Sequence, residues 1–186
     1  AAMEPGMSHA FSFFLFSVLL WGTVRMRRSP TPGTAILMMV VGALIVLVRP
    51  ANIVALAIPL LYGASGPTAV WHRIRWPFVH RRTFGVGSLT CLILVAPQIW
   101  YWYAVTGKPL VFTYGTKGEG FSWAHPHLWD VLWHPWNGWF LYSPVMLFVM
   151  AALLHMALRG IEGARPVLFV WLLAWYIIAS WWSWWL

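Results

Sequence analysis

The chain has 186 residues, of which 61% are hydrophobic and only 9% charged, and its mean hydropathy is +0.71. Soluble domains carry about a quarter charged residues, so this composition favours an integral membrane protein over a globular one. The net charge of +8 does not argue for nucleic acid, because the cations fall in short clusters between apolar runs, which is the pattern of membrane topology.

A helix needs about 20 apolar residues to cross the hydrocarbon core. In chain order, six spans are expected, at about residues 9–24, 34–48, 52–70, 83–105, 140–158 and 167–186. The second is short, and the third contains Pro59, Gly63 and Pro67. The stretch "LIVLVRPANIVAL" decides whether Ala35–Tyr62 is one helix or two. One helix would put Arg49 and Pro50 in mid-membrane, where a charge is costly and a proline removes a backbone bond. Charge parity agrees with two. The clusters Arg25, Arg27, Arg28 and Arg73, Arg75, Arg81, Arg82 both belong on the cytoplasmic side, so an even number of spans separates them. Two further spans bring Arg159 and Arg165 to the same side.

The fold expected is therefore an all-α polytopic membrane protein, a single membrane domain over residues 1–186. Arg49, Lys108 and Lys117 fall outside, as does a large extracytoplasmic loop, residues 106–139. Within that loop "PHLWDVLWHPW" reads as a short helix. Pro126 suits its first position, Trp129 and Trp133 share a face four residues apart, and Pro135 stops it. Such a helix lies flat in the interface with its indoles at headgroup level. The closing "WLLAWYIIASWWSWW" reads as a helix ending in an outer aromatic belt, and "VWHRIRWPFVHRRTF" (Val70–Phe84) as a cytoplasmic loop touching anionic lipid.

The single Cys91 lies in an apolar run, so no disulfide framework or cysteine-based metal site is expected. The opening "AAMEPGMSHA" has no basic stretch before an apolar core and does not read as a signal peptide. It lacks an initiating Met, and the chain closes inside an apolar run; both ends read as cuts in a longer protein.

Polar groups are scarce in the spans, where His155 is the clearest ionisable one, and gather at the outer face. That depth suits a substrate with an amphipathic body, such as a lipid phosphate. Arg49, at the mouth of a hairpin beside Asn52, suits a bidentate phosphate donor or a headgroup anchor. Lys117 and Glu119 lie in the glycine-flanked "YGTKGEGF", either a mobile substrate loop or a solvated turn. Glu4 and His9 precede the first span, where Ser8 with His9 can start the helix, and substrate contact is the other reading. His125, His127, Asp130 and His134 complete the set. His125 and His127 are not a zinc set without a third defined ligand, and the alternative is that they and Asp130 cap the interfacial helix. Asp130 has no paired carboxylate to mark it as a general base.

Four stretches occur in order: "EPGMSHAFSFFLF" (Glu4–Phe16), "VGALIVLVRPANIV" (Val41–Val54), "APQIWYWYAVTGKPL" (Ala96–Leu110) and "GEGFSWAHPHLWDVLWHPWNGWFLYSPVM" (Gly118–Met146). With the closing "SWWSWW" they resemble the bacterial membrane glycosyltransferases of the GT-C superfamily, which includes protein mannosyltransferases and the lipid A aminoarabinose transferase. The resemblance implies an inner-membrane, multi-pass enzyme that moves a sugar from a polyprenyl-phosphate carrier to a lipid, glycan or protein acceptor at the extracytoplasmic face. It implies basic residues on the donor phosphate, for which Arg49 is the first match and Lys117 the second. Glu119, Glu4, His9, Asn52, His125 and Asp130 are the other substrate-binding candidates. The resemblance puts the acidic catalytic base in a first outer loop that this chain lacks, so the catalytic residue is unknown here and the chain alone is expected to be inactive.

A carboxylate would deprotonate the acceptor, the phosphate would leave against fixed cations, and a single displacement would invert the sugar. No cofactor is expected, since fixed cations can stand in for a divalent metal. The partners expected are the lipid-linked donor, membrane lipid and the rest of the same polypeptide, with no nucleic acid. Two other classes compete. A transporter or flippase of a lipid-linked sugar would show midplane polar residues and internal repeats, and a non-catalytic scaffold would tolerate loss of Arg49, Lys117 and Glu119.

Overall fold

The computed structural model describes residues 9–111 and 120–185. The described residues are helical and include no strand, only an isolated bridge between Phe121 and Trp181. The chain divides into two compact units, Ala1–Leu110 and Val111–Leu186.

In the first unit, α1 (His9–Arg28) carries Arg25, Arg27 and Arg28 in its last turn, where the helix dipole favours cations. A short link leads to α2 (Pro32–Val48). Thr31 starts α2, its hydroxyl accepting from the Thr34 N–H at 3.2 Å, and Pro32 occupies the first turn, where no N–H is needed. α2 stops at Arg49, which is extended (φ −149°, ψ 117°) as a residue before proline prefers. Pro50–Leu56 then forms a 3-10 helix that runs into α3 (Ala57–Leu61). After a turn through Gly63 (φ 57°) come α4 (Pro67–Ile74), α5 (Trp76–Val79) and the long α6 (Arg81–Thr106). α6 ends on Gly107, whose left-handed φ of 72° closes the helix onto Tyr103 O.

α2 is the centre of this unit, packed by α1, the 3-10 helix and α6. Leu15, Leu19, Val41, Ile45 and Ala55 form its core. Small residues let the helices approach closely. A Cβ on Gly87 of α6 would stand 2.5 Å from the Met39 sulfur, and one on Gly42 would stand 3.0 Å from Leu56. Helices that pack in lipid use small residues in this way.

In the second unit, α7 (Leu128–Trp133) and α8 (Trp139–Tyr142) lead to α9 (Val145–Leu158) and α10 (Ala164–Ser180). Residues 120–127 run beside the end of α10. Ser122 N–H donates to Ser180 O (2.6 Å), Trp182 N–H to Gly120 O (3.0 Å) and His127 N–H to Ala179 O (2.7 Å). Trp175 Nε1 donates to Leu128 O at 3.1 Å, and Tyr176 OH to Trp123 O at 2.8 Å.

Two helices are long and apolar enough to cross a membrane, Ala10–Arg28 and Arg81–Thr106, and only 6% of the most apolar window of the second is buried. The other apolar helices, Pro32–Val48, Pro50–Leu61, Val145–Leu158 and Ala164–Ser180, are shorter. The expectation of six full spans is corrected accordingly. The span expected at 52–70 is not one helix, because the chain turns at Gly63 and restarts at Pro67. The span expected at 140–158 is interrupted at Ser143 and Pro144. The last helix stops at Ser180, since residues 181–185 turn back against residues 120 and 137. The short helix expected in the loop is present. It begins at Leu128 rather than at Pro126, and Trp129 and Trp133 do share a face, with ring centroids 5.9 Å apart.

Candidate functional site

The candidate residues fall into two groups, one in each unit. In the first, Arg49 is exposed at the end of α2, its backbone N–H held by Ile45 O at 3.2 Å. Asn52 sits on the 3-10 turn that Pro50 starts, its N–H donating to Arg49 O at 2.9 Å. Its side-chain amide donates to the Ser12 hydroxyl near the start of α1, at 3.4 Å. The end of α2 and the start of α1 therefore meet, and a guanidinium, an amide and a hydroxyl belong to that one end of an apolar bundle. The basic residues of α1 lie at its other end: Arg27 Nη2 donates to Gly63 O at 3.1 Å.

In the second unit, Asp130 pairs with His127, Oδ2 to Nδ1 at 2.9 Å, with 39% and 49% of the two side chains exposed. At that exposure the pair adds little stability. Its chemical effect is to hold the proton on Nδ1, leaving Nε2 of a neutral imidazole as an acceptor. The His127 ring stacks on Trp184, with centroids 5.1 Å apart and planes at 22°. His134 meets the same indole edge-on, at 5.1 Å and 82°. His134 Nδ1 accepts the Trp136 N–H at 3.2 Å, which places the proton of a neutral ring on Nε2. Asn137 ties down this corner by donating to Trp185 O at 3.2 Å. His125 is exposed, its backbone N–H donating to Ser122 O at 3.2 Å. Among the described residues no three His, Cys, Asp or Glu side chains gather as a metal site.

Arg49 and Asn52 are thus neighbours, as are Asp130 and His127. Glu4, Lys117 and Glu119 lie outside the described residues, and of His9 only the backbone, at the start of α1, is described. The sequence reading missed Trp184. Its signal was the closing "SWWSWW", which was assigned to a lipid belt although it supplies an indole between two of the loop's histidines. Comparison with family models, with curated proteins and with solved structures returned no match.

Proposed function

We propose that this chain is part of a multi-pass inner-membrane glycosyltransferase of GT-C type, which transfers a sugar from a polyprenyl-phosphate donor to a lipid, glycan or protein acceptor at the extracytoplasmic face. The observation that carries the reading is the polar end of the first unit. Arg49, Asn52 and Ser12 cluster where apolar helices stop, away from the arginines at the end of α1. A lipid-linked phosphate lies at that depth, and Arg49 supplies the planar, permanently charged fork that binds it.

Apolar faces such as those of Leu92, Ile93 and Trp100 on α6, all exposed, are then covered by acyl chains. In this reading, helices shorter than the bilayer also lie in the membrane. α2 spans roughly 25 Å and the 3-10 helix with α3 roughly 21 Å, against a core of about 30 Å. The short pass is tolerated because arginines accommodate its end. Arg73 Nη1 donates to Leu60 O (2.7 Å) and Pro59 O (3.2 Å), so these carbonyls are not left bare in lipid.

The test is transfer from a synthetic polyprenyl-phosphate sugar by the full-length protein in proteoliposomes. Arg49→Ala is expected to lower kcat/KM roughly 100- to 1,000-fold, the scale for losing one charge-stabilising donor. Arg49→Lys should recover only part of that loss. Wild-type protein that moves the intact lipid-linked sugar across the bilayer without cleaving it is a flippase. Full cellular function in Arg49→Ala would leave the scaffold reading.

A further inference from the structure

Two guanidiniums reach the same short stretch of chain from different helices. Arg27, in the last turn of α1, donates to Gly63 O at 3.1 Å. Arg73, in α4, donates to Leu60 O at 2.7 Å and Pro59 O at 3.2 Å. Like charges drawn to one place repel, and here burial, and after it the charge of Arg27, holds Arg73 below the usual arginine range. Among the described residues of this unit no carboxylate compensates them, because the sequence from Pro5 to Leu110 contains no Asp or Glu. The helix carbonyls use one terminal nitrogen of each group, and a guanidinium carries five N–H donors, so donors remain.

The surroundings select the anion. On α4 and α5, Trp71, Ile74, Phe78 and Val79 are exposed, the last two at 71% and 72%. They lie beside Arg73 and Arg75 in sequence and alternate with them along this short helical pair. A soluble anion needs no such apolar collar. A phospholipid does, since its phosphate meets arginine while its glycerol and upper acyl chain meet the rings.

We infer that the Arg27–Arg73 pair, with the exposed apolar face of α4 and α5, binds the phosphate of an anionic phospholipid in the leaflet at that end of the first unit. The site is independent of any sugar transfer and lies at the opposite end of α1 from Ser12. The bound headgroup supplies the missing negative charge and locks the turn between α3 and α4.

The experiment places the chain in nanodiscs of equal phosphatidylcholine and phosphatidylglycerol and counts the lipids retained by native mass spectrometry. Phosphatidylglycerol is expected to be enriched by about fivefold for each guanidinium engaged. The double variant Arg27→Gln with Arg73→Gln should lose that enrichment, and Lys108→Gln, beyond the far end of α6, should keep it. Because both arginines also hold α3, Arg27→Lys with Arg73→Lys provides a folded comparison that keeps the charge and should keep most of the enrichment. Equal retention of the two lipids by the wild type, or unchanged enrichment in the Gln double variant, overturns the assignment. So does inorganic phosphate raising the unfolding temperature in phosphatidylcholine discs as much as phosphatidylglycerol does, since that is a site for a soluble anion.

Discussion

The indole N–H of Trp175, in the last half of α10, donates to the carbonyl of Leu128, the first residue of α7, across 3.1 Å. Together with the bond from His127 N–H to Ala179 O, it fastens a six-residue helix, too short to hold itself in water, to a long one. Trp175→Phe keeps the ring and removes the donor, and is expected to cost about 1 kcal/mol. Trp175→Ala also removes the packing on Trp171, whose ring is 5.6 Å away, and should cost more. Thermal unfolding in detergent measures both; an unchanged unfolding temperature in Trp175→Phe would mean that the bond contributes nothing.

Gly138 sits where its chain crosses the preceding turn. A Cβ there would stand 2.7 Å from the His134 backbone nitrogen and 2.8 Å from its oxygen, atoms that cannot swing aside. Gly138→Ala should destabilise the second unit by about 1–3 kcal/mol, the usual range for an overpacked site. Gly33→Ala is the control, since nothing lies within 4 Å and helix propensity favours alanine there. A melting temperature that falls in neither variant would remove the steric argument.

Gly87 and Gly85 both lie on α6, but only Gly87 faces a close neighbour, the Met39 side chain. Gly87→Val should therefore loosen α6 from α2, seen as faster proteolysis at the α5–α6 junction around His80 and a lower unfolding temperature. Gly85→Val should change neither. If the two behave alike, α6 does not pack on α2 through this surface.

The sidedness of the first unit is open to cysteine labelling in a Cys91→Ser background. Single cysteines at Ser29 and Ser65 should react from the cytoplasmic side only. Those at Ala51 and Lys108 should react from the opposite side only. All four positions are exposed. Labelling of Ala51 from the cytoplasmic side would break the hairpin of α1 and α2 and, with it, the placement of Arg49.

Much of the helix pattern was legible because apolar runs and their stops are local. The stop of α2 at Val48 follows from Pro50, and the expected and observed starts and ends of α6 differ by at most two residues, 83–105 against Arg81–Thr106. α1 runs four residues further than its apolar content suggested, to Arg28, because arginines are good helix formers and sit well at a helix C-terminus. The breaks were less legible. Pro59 lies inside α3 without ending it, and Pro97 lies inside α6, whereas Gly63 and Pro144 mark real interruptions. Composition does not rank such positions, since tertiary contacts decide. Of the site, Arg49 beside Asn52 was legible from adjacency, and the His127–Asp130 pair follows helical spacing. The meeting of Asn52 with Ser12, and of His127 and His134 with Trp184, joins residues 40 or more apart in the chain, and no local pattern announces such contacts.

The pairing of Phe121 with Trp181 is antiparallel, and its two backbone bonds join Gly120 to Trp182 and Ser122 to Ser180. The chain enters and leaves this pairing on the same side. A force that draws Gly120 away from Trp182 therefore does not load both bonds together. It peels them in turn, first the outer one and then the inner one, as a zip opens, and then reaches the bond from His127 to Ala179. The second unit is thus mechanically weak along one direction, the one that parts Gly120 from Trp182, and a steady pull there would release the Trp184 ring from its histidines while α9 and α10 stay folded.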